Sequence, residues 1–127
     1  METSRKHPLI GVVGVCGSGK TTLVTGLKSF GFDLRHIAQE HSYVATMWQR
    51  ISNPDILIFL DSSYPETIRR RKLDWTIDEY MEQQRRLAHA RQHCHFYLFT
   101  DSLTPSEMIE RVLGFLEQKG IHSGTDE

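Results

Sequence analysis

The sequence predicts an α/β fold of three layers: a small, four- or five-stranded, mainly parallel sheet with helices on both faces. Three observations predict it. Short apolar runs rich in β-branched residues alternate four times with helix-period segments. Capping-box residue pairs stand where helices should start. The 127 residues, 39% of them hydrophobic, are enough for one domain around one core.

Taken in order, Leu9 to Val15 is an apolar run closed by glycines, which reads as a strand buried on both faces. Residues 20 to 29 read as a helix that ends near Gly31. Leu34 to Ala38 is a weaker strand, residues 43 to 51 a helix, and "DILIFLD" (55 to 61) a strong strand introduced by the turn pair Asn53-Pro54. Ser63 with Glu66, Thr76 with Glu79, and Thr104 with Glu107 are capping-box pairs, the last with Pro105 at the first helical position. From Thr76, Ile77, Tyr80, Met81, Leu87 and Ala88 share one helical face, whereas Asp78, Glu82, Arg85 and Arg86 lie largely off it. "FYLFT" (96 to 100) is the last strand. Met108, Ile109, Val112, Leu113 and Leu116 are the inner stripe of a final helix. Residues 1 to 7 and 120 to 127 are polar ends expected to lack fixed structure. Parallel strands joined by helices imply right-handed crossovers, with ligands at the carboxyl ends of the strands.

Charge and cysteine content narrow the function classes. Fifteen Lys and Arg against sixteen Asp and Glu leave a formal charge of −1, so no overall basic field draws nucleic acid or an anionic membrane. Cys16 and Cys94 form neither a disulfide framework nor a CxxC site. No segment reads as a signal peptide or a spanning helix, and a cytoplasmic setting is the expectation.

Between the first strand and the first helix, Gly14, Gly19, Lys20 and Thr21 satisfy G-x-x-x-x-G-K-[ST], the P-loop pattern. Each part has a physical task. Glycines let the backbone curl so that successive N–H groups point inward, and the helix N-terminus adds partial positive charge, so phosphate is the matching ligand. The nucleotide-binding set is therefore Gly14, Cys16, Gly17, Ser18, Gly19, Lys20, Thr21 and Thr22. Lys20 is expected on the β- and γ-phosphates and Thr21 on Mg²⁺. No DxxG and no NKxD occurs, which favours ATP over GTP.

The chain resembles the P-loop kinases that phosphorylate nucleosides, nucleotides and similar small metabolites. "PDILIFLDSSYPETIRRR" (54 to 71) resembles the strand and LID segment of thymidylate kinase-like proteins, and "LFTDSLTPSEMIERVLGFL" (98 to 116) their last strand, adenine-side loop and C-terminal helix. "QEHS" (39 to 42) is similar to the Glu-Arg-Ser of deoxynucleoside kinases, with His41 in place of the arginine. The resemblance implies a P-loop NTPase fold and phosphoryl transfer from Mg-ATP to an unidentified small-molecule acceptor. It places Leu103, Thr104 and Pro105 beside the adenine, and makes Arg70 and Arg71, with Lys20, the residues that act on the transferring phosphoryl group. Arg71 fits the spacing from Pro65 best. The segment before "DILIFLD" is short for the acceptor site of such kinases, and one of their strands is missing. The alternative is therefore a reduced domain that binds ATP or ADP to regulate or recruit a partner; a homodimer stays open.

Two carboxylates compete for the Mg²⁺ side. Glu40 ends a strand expected beside the first, whereas Asp61 fits the bare Walker B pattern but leads into the LID segment; a metal held only through water is the third option. The run Arg69, Arg70, Arg71, Lys72 reads either as phosphate-facing charge or as a basic last turn that complements a helix dipole. His89, His93, Cys94 and His95 have metal-ligating side chains, but no second ligand pair stands at a recognisable spacing, so they read as a polar helix end. Cys16 reads as a small loop-filling residue, although inward N–H groups would lower a thiol's pKa there. Trp48 and Trp75 read as core covers rather than base-stacking platforms.

Overall fold

The computed structural model describes residues 7–71 and 74–122. Lys72 and most of the polar ends lie outside the described residues. Strand β1 (Leu9–Gly14) runs into α1 (Lys20–Lys28), followed by β2 (Asp33–His36), a 3₁₀ turn (Gln39–His41) and α2 (Met47–Ile51). Then come β3 (Ile56–Asp61), α3 (Tyr64–Arg71), α4 (Ile77–Arg86), α5 (Ala88–His93), β4 (Phe96–Phe99) and α6 (Pro105–Gln118). The four strands pair in parallel in the order β2-β1-β3-β4, with Val12 opposite both His36 and Ile58. Among the described residues no helix is long and apolar enough to cross a membrane.

Alternation along the central strands divides the core in two. Ile10, Val12, Ile58 and Leu60 point to the layer of α1 and α6, where Leu23, Leu27, Met108, Val112 and Leu116 cover them. Val13, Leu57 and Phe59 point the other way, toward Trp48 of α2, Leu87 and Ala90. A central strand buried on both faces needs apolar residues at every position, and β1 is buried throughout. Each fully buried Leu, Val or Met of α6 contributes roughly 1.5–3 kcal/mol.

Several expectations are corrected. The helix expected over 43 to 51 starts only at Met47, because the Ser42 hydroxyl holds Val44 N–H at 3.0 Å in a local turn and Tyr43 lies exposed. The capping boxes at Thr76 and Thr104 form in both directions, but at Ser63 only the Glu66 N–H reaches the hydroxyl, at 3.4 Å. The Glu66 carboxylate turns to Arg69 and Arg70 instead. Ile77 and Met81, expected inside, are about half exposed, and Gln83 is buried. Helix α4 is turned so that Gln83 reaches the loop after β1.

Candidate functional site

The loop from Gly14 to Lys20 leaves β1 at its carboxyl end, and its shape is set by close approaches. A Cβ on Gly14 would overlap Leu60 O and lie 2.7 Å from Ser18 Oγ, so no side chain fits there. Gly17 has φ 83°, the left-handed region that glycine occupies without strain, and a Cβ there would lie 3.2 Å from the Thr67 backbone. The N–H of Ser18 donates to Val15 O at 3.1 Å, closing the curl. No side chain caps the start of α1, where Gly19 is the N-cap residue. The positive end of that helix dipole is thus left for an anion.

Lys20 is buried and folded back. Its Nζ donates to Gly14 O (2.7 Å) and Val15 O (3.0 Å) and pairs with Glu40 Oε2 at 3.1 Å. Glu40, on the 3₁₀ turn after β2, is 4% exposed, and its Oε1 has no hydrogen-bond partner among the described residues. Among the described residues, Ser18 Oγ is the other buried side-chain atom in that condition. Buried polar atoms are ordinarily satisfied, so two orphans at one site mark a place where a partner is missing.

Both orphans belong to residues that line a cleft of about 760 Å³. Cys16, Gly17, Ser18, Gly19, Lys20, Thr21 and Thr22 form its floor, with Glu40 and His41 on one side and Arg69, Arg70 and Arg71 on another. Leu103, Thr104, Pro105 and Met108 make an apolar end. Sequence-predicted residues from four separate segments thus meet in one place, with Gly14 beneath the floor. His36 is at the rim, and partial burial and then Lys20 lower its pKa, against an opposing pull from Glu40.

The arginines divide their work. Arg70 donates through NH1 to Thr100 Oγ1 (2.8 Å) and Gly17 O (3.2 Å), and through Nε to Glu66 Oε2 (2.9 Å), so it fastens the loop to α3 and to the residue that follows β4. Hydrogen bonds from Arg69 first, with Arg70 adding to them, bring the Glu66 carboxyl down to about 2. Arg71 lines the cleft, and among the described residues no carboxylate pairs with it.

Asp61 is not brought to the cleft. It ends β3, is 5% exposed, and accepts from Tyr97 Oη (2.7 Å), Ser62 N (2.9 Å) and Gln84 Nε2 (3.0 Å), with Arg91 at 3.3 Å. Burial, then Asp61 itself, pushes the Tyr97 hydroxyl up to about 12. The histidine cluster is also engaged elsewhere. His89 Nδ1 accepts from Trp48 Nε1 at 3.2 Å, and His95 Nδ1 from Leu57 N at 2.9 Å.

Three contributors escaped the sequence reading. Gln83 accepts from Cys16 N at 3.0 Å and donates to Cys16 Sγ at 3.5 Å, holding the loop from behind. The buried Thr100 hydroxyl donates to Ser18 O at 2.9 Å, and buried Gln39 accepts from Trp48 N at 2.9 Å to fix the turn that carries Glu40. The available signal for Gln83 was helical spacing, three residues after Tyr80 and four before Leu87, on the face that turns inward. No family model and no curated protein matches this chain.

Proposed function

We propose that the cleft binds Mg-ATP and that the protein is a small-molecule or nucleotide kinase of the P-loop type, transferring the γ-phosphoryl group to an acceptor not yet identified. One observation carries the reading: a glycine-shaped loop opens into an uncapped helix, and its Lys20 lies beside a buried carboxylate that has one oxygen with no hydrogen-bond partner among the described residues. The residues fit the absent group. Lys20 would exchange its carbonyl partners for phosphate oxygens, Ser18 Oγ and the first-turn N–H groups would face the polyphosphate, and Thr21 with Glu40 would serve Mg²⁺ directly or through water. Mg-ATP, when bound, supplies the phosphoryl group and the charge that neutralises it. Leu103, Thr104 and Pro105 offer an apolar wall to the base, and Arg71 a cation for the phosphoryl oxygens.

A second reading, a domain that binds ATP or ADP to regulate a partner, is favoured by Arg70, whose guanidinium is engaged with the loop itself. A coupled ADP-release screen over nucleosides, nucleotides and small metabolites separates the two. Acceptor-stimulated release is the expected result; tight Mg-ATP binding with no release for any acceptor transfers the conclusion to the regulatory domain.

A further inference from the structure

One grouping in the cleft wall has chemistry that neither a nucleotide nor Mg²⁺ requires. Cys16 Sγ lies 3.9 Å from His41 Nε2, which lies 3.7 Å from Glu40 Oε2, and one ligand atom from each of the three residues falls within 4.8 Å of the others. It is the one such grouping of metal-ligating side chains among the described residues. We propose that Cys16, Glu40 and His41 form a binding site for a borderline-soft divalent metal ion, with zinc the best match.

The donor set selects the metal. Thiolate and imidazole suit zinc and its neighbours, whereas Mg²⁺ and Ca²⁺ take oxygen ligands almost alone. Zinc bonds of roughly 2.0–2.3 Å in a tetrahedron put ligand atoms roughly 3.3–3.7 Å apart. The Cys16–His41 edge, 3.9 Å, is about 0.2 Å longer than this, the His41–Glu40 edge, 3.7 Å, is at its upper end, and the Cys16–Glu40 edge is within 4.8 Å, so binding draws the three side chains together. His41 has a 59% exposed side chain, free to swing inward, and the buried Glu40 is held on its 3₁₀ turn. An independent sign of a missing partner is that Glu40 is 4% exposed and has an oxygen with no donor, while Lys20 occupies the other.

Charge also balances. On binding, the Cys16 thiol loses its proton to solvent, and the thiolate with the Glu40 carboxylate neutralises the ion. Lys20 is the cation that opposes it; Arg86 is paired with Glu82 and reaches Glu40 at its backbone carbonyl. Three protein ligands leave a coordination position for water or an anion. The site shares Glu40 with the Mg²⁺ side and Cys16 with the loop, so zinc and Mg-ATP affect one another's affinity by the same factor.

The test uses untagged, full-length protein without nucleotide or Mg²⁺, titrated with Co²⁺, whose thiolate charge-transfer absorption reports sulfur ligation. One equivalent should saturate the band, and Zn²⁺ should displace it. Cys16→Ser should remove the band, His41→Ala should weaken Co²⁺ at least about tenfold, and Cys94→Ser should leave the titration unchanged. No band, a band that survives Cys16→Ser or follows Cys94, or one indifferent to His41→Ala overturns the site. Because His41 is exposed, that variant keeps its fold and its result stands even if Cys16→Ser misfolds. Nucleotide is absent throughout, so a failed metal site leaves the ATP reading standing, and failed ATP binding leaves the cobalt band intact.

Discussion

Glu40 and Asp61 are buried to the same degree, 4% and 5% exposed, Glu40 just after and Asp61 at the end of the two strands that flank β1, yet their surroundings are opposite. Asp61 has a tyrosine, a glutamine, a backbone N–H and an arginine, so neither oxygen is idle. Glu40 has Lys20 and His41 at one oxygen and, among the described residues, no hydrogen-bond partner at the other. A saturated buried carboxylate holds structure together, because removing it leaves several donors unpaired. An unsaturated one is kept at a cost in desolvation, because one of its oxygens has given up water without gaining a donor.

The comparison is broken most directly by stability measurements. Asp61→Ala strands Tyr97, Gln84 and Arg91 together and should cost about 3 kcal/mol in urea unfolding, toward the low end for a broken buried pair because Arg91 is 40% exposed. Glu40→Gln keeps an amide oxygen for Lys20 Nζ, which also retains Gly14 O and Val15 O, so the loss of charge in this buried pair should cost less than Asp61→Ala, about 1–2 kcal/mol. Equal losses would show that Glu40 is as structural as Asp61.

Ligand measurements should reverse the order. Mg-ATP at a hundred times its Kd should stabilise the wild type by about 2.7 kcal/mol. Lys20→Ala should remove most of that gain, whereas Asp61→Asn, though less stable, should keep it. Within the kinase reading, Arg71→Ala should lower kcat by about 10²-fold with ATP affinity nearly kept, as when a preorganised donor is lost. Unchanged nucleotide affinity in Lys20→Ala, measured by calorimetry, would end the assignment of the loop.

What the sequence disclosed follows how local each feature is. The strands, the loop of Gly14 to Thr21 and the capping boxes at Thr76 and Thr104 are written in adjacent residues, and these elements form where they were read. The partners of Asp61 are not adjacent: Tyr97 lies 36 positions away on β4, and Gln84 lies 23 away on α4. Only strand order and crossover direction bring them in. Periodicity also misjudged α4, since Ile77 and Met81 suggested the inner face but Gln83 took it by finding the Cys16 backbone. A buried glutamine costs little when both ends of its amide are satisfied, and no apolar count detects that.

Thr100 sharpens the comparison from a third position, because its hydroxyl joins the saturated side to the ligand side by donating to Ser18 O and lying 3.2 Å from Asp61 O. Thr100→Val keeps the shape and removes the bond, so it should cost about 1–2 kcal/mol of stability. It should also loosen the loop enough to raise the Kd for Mg-ATP severalfold, measurable by calorimetry. A stability loss with unaltered Kd would mean the loop keeps its shape without β4.

The smallest effect concerns His36 and reads the charges of the cleft directly. Its pKa is lowered by partial burial, then by Lys20, with Glu40 opposing. In the folded protein protonation is therefore harder than in the unfolded chain, so the unfolded state binds more protons between the folded pKa and the ordinary value of 6.5. The contribution of His36 to stability is fully present above pH 6.5 and is lost as pH falls through the folded pKa. Its ring proton signals, followed by NMR against pH, separate the two charges. Lys20→Ala removes a cation and should move the His36 midpoint up; Glu40→Gln removes an anion and should move it down. Asp61→Asn, outside the cleft, should leave it in place. Polyphosphate bound in the cleft favours the imidazolium and should raise the midpoint, so that Mg-ATP binding takes up protons below neutrality. A midpoint that responds to Asp61→Asn but not to Glu40→Gln would place the active electrostatics at the end of β3 and invert the assignment of the two carboxylates.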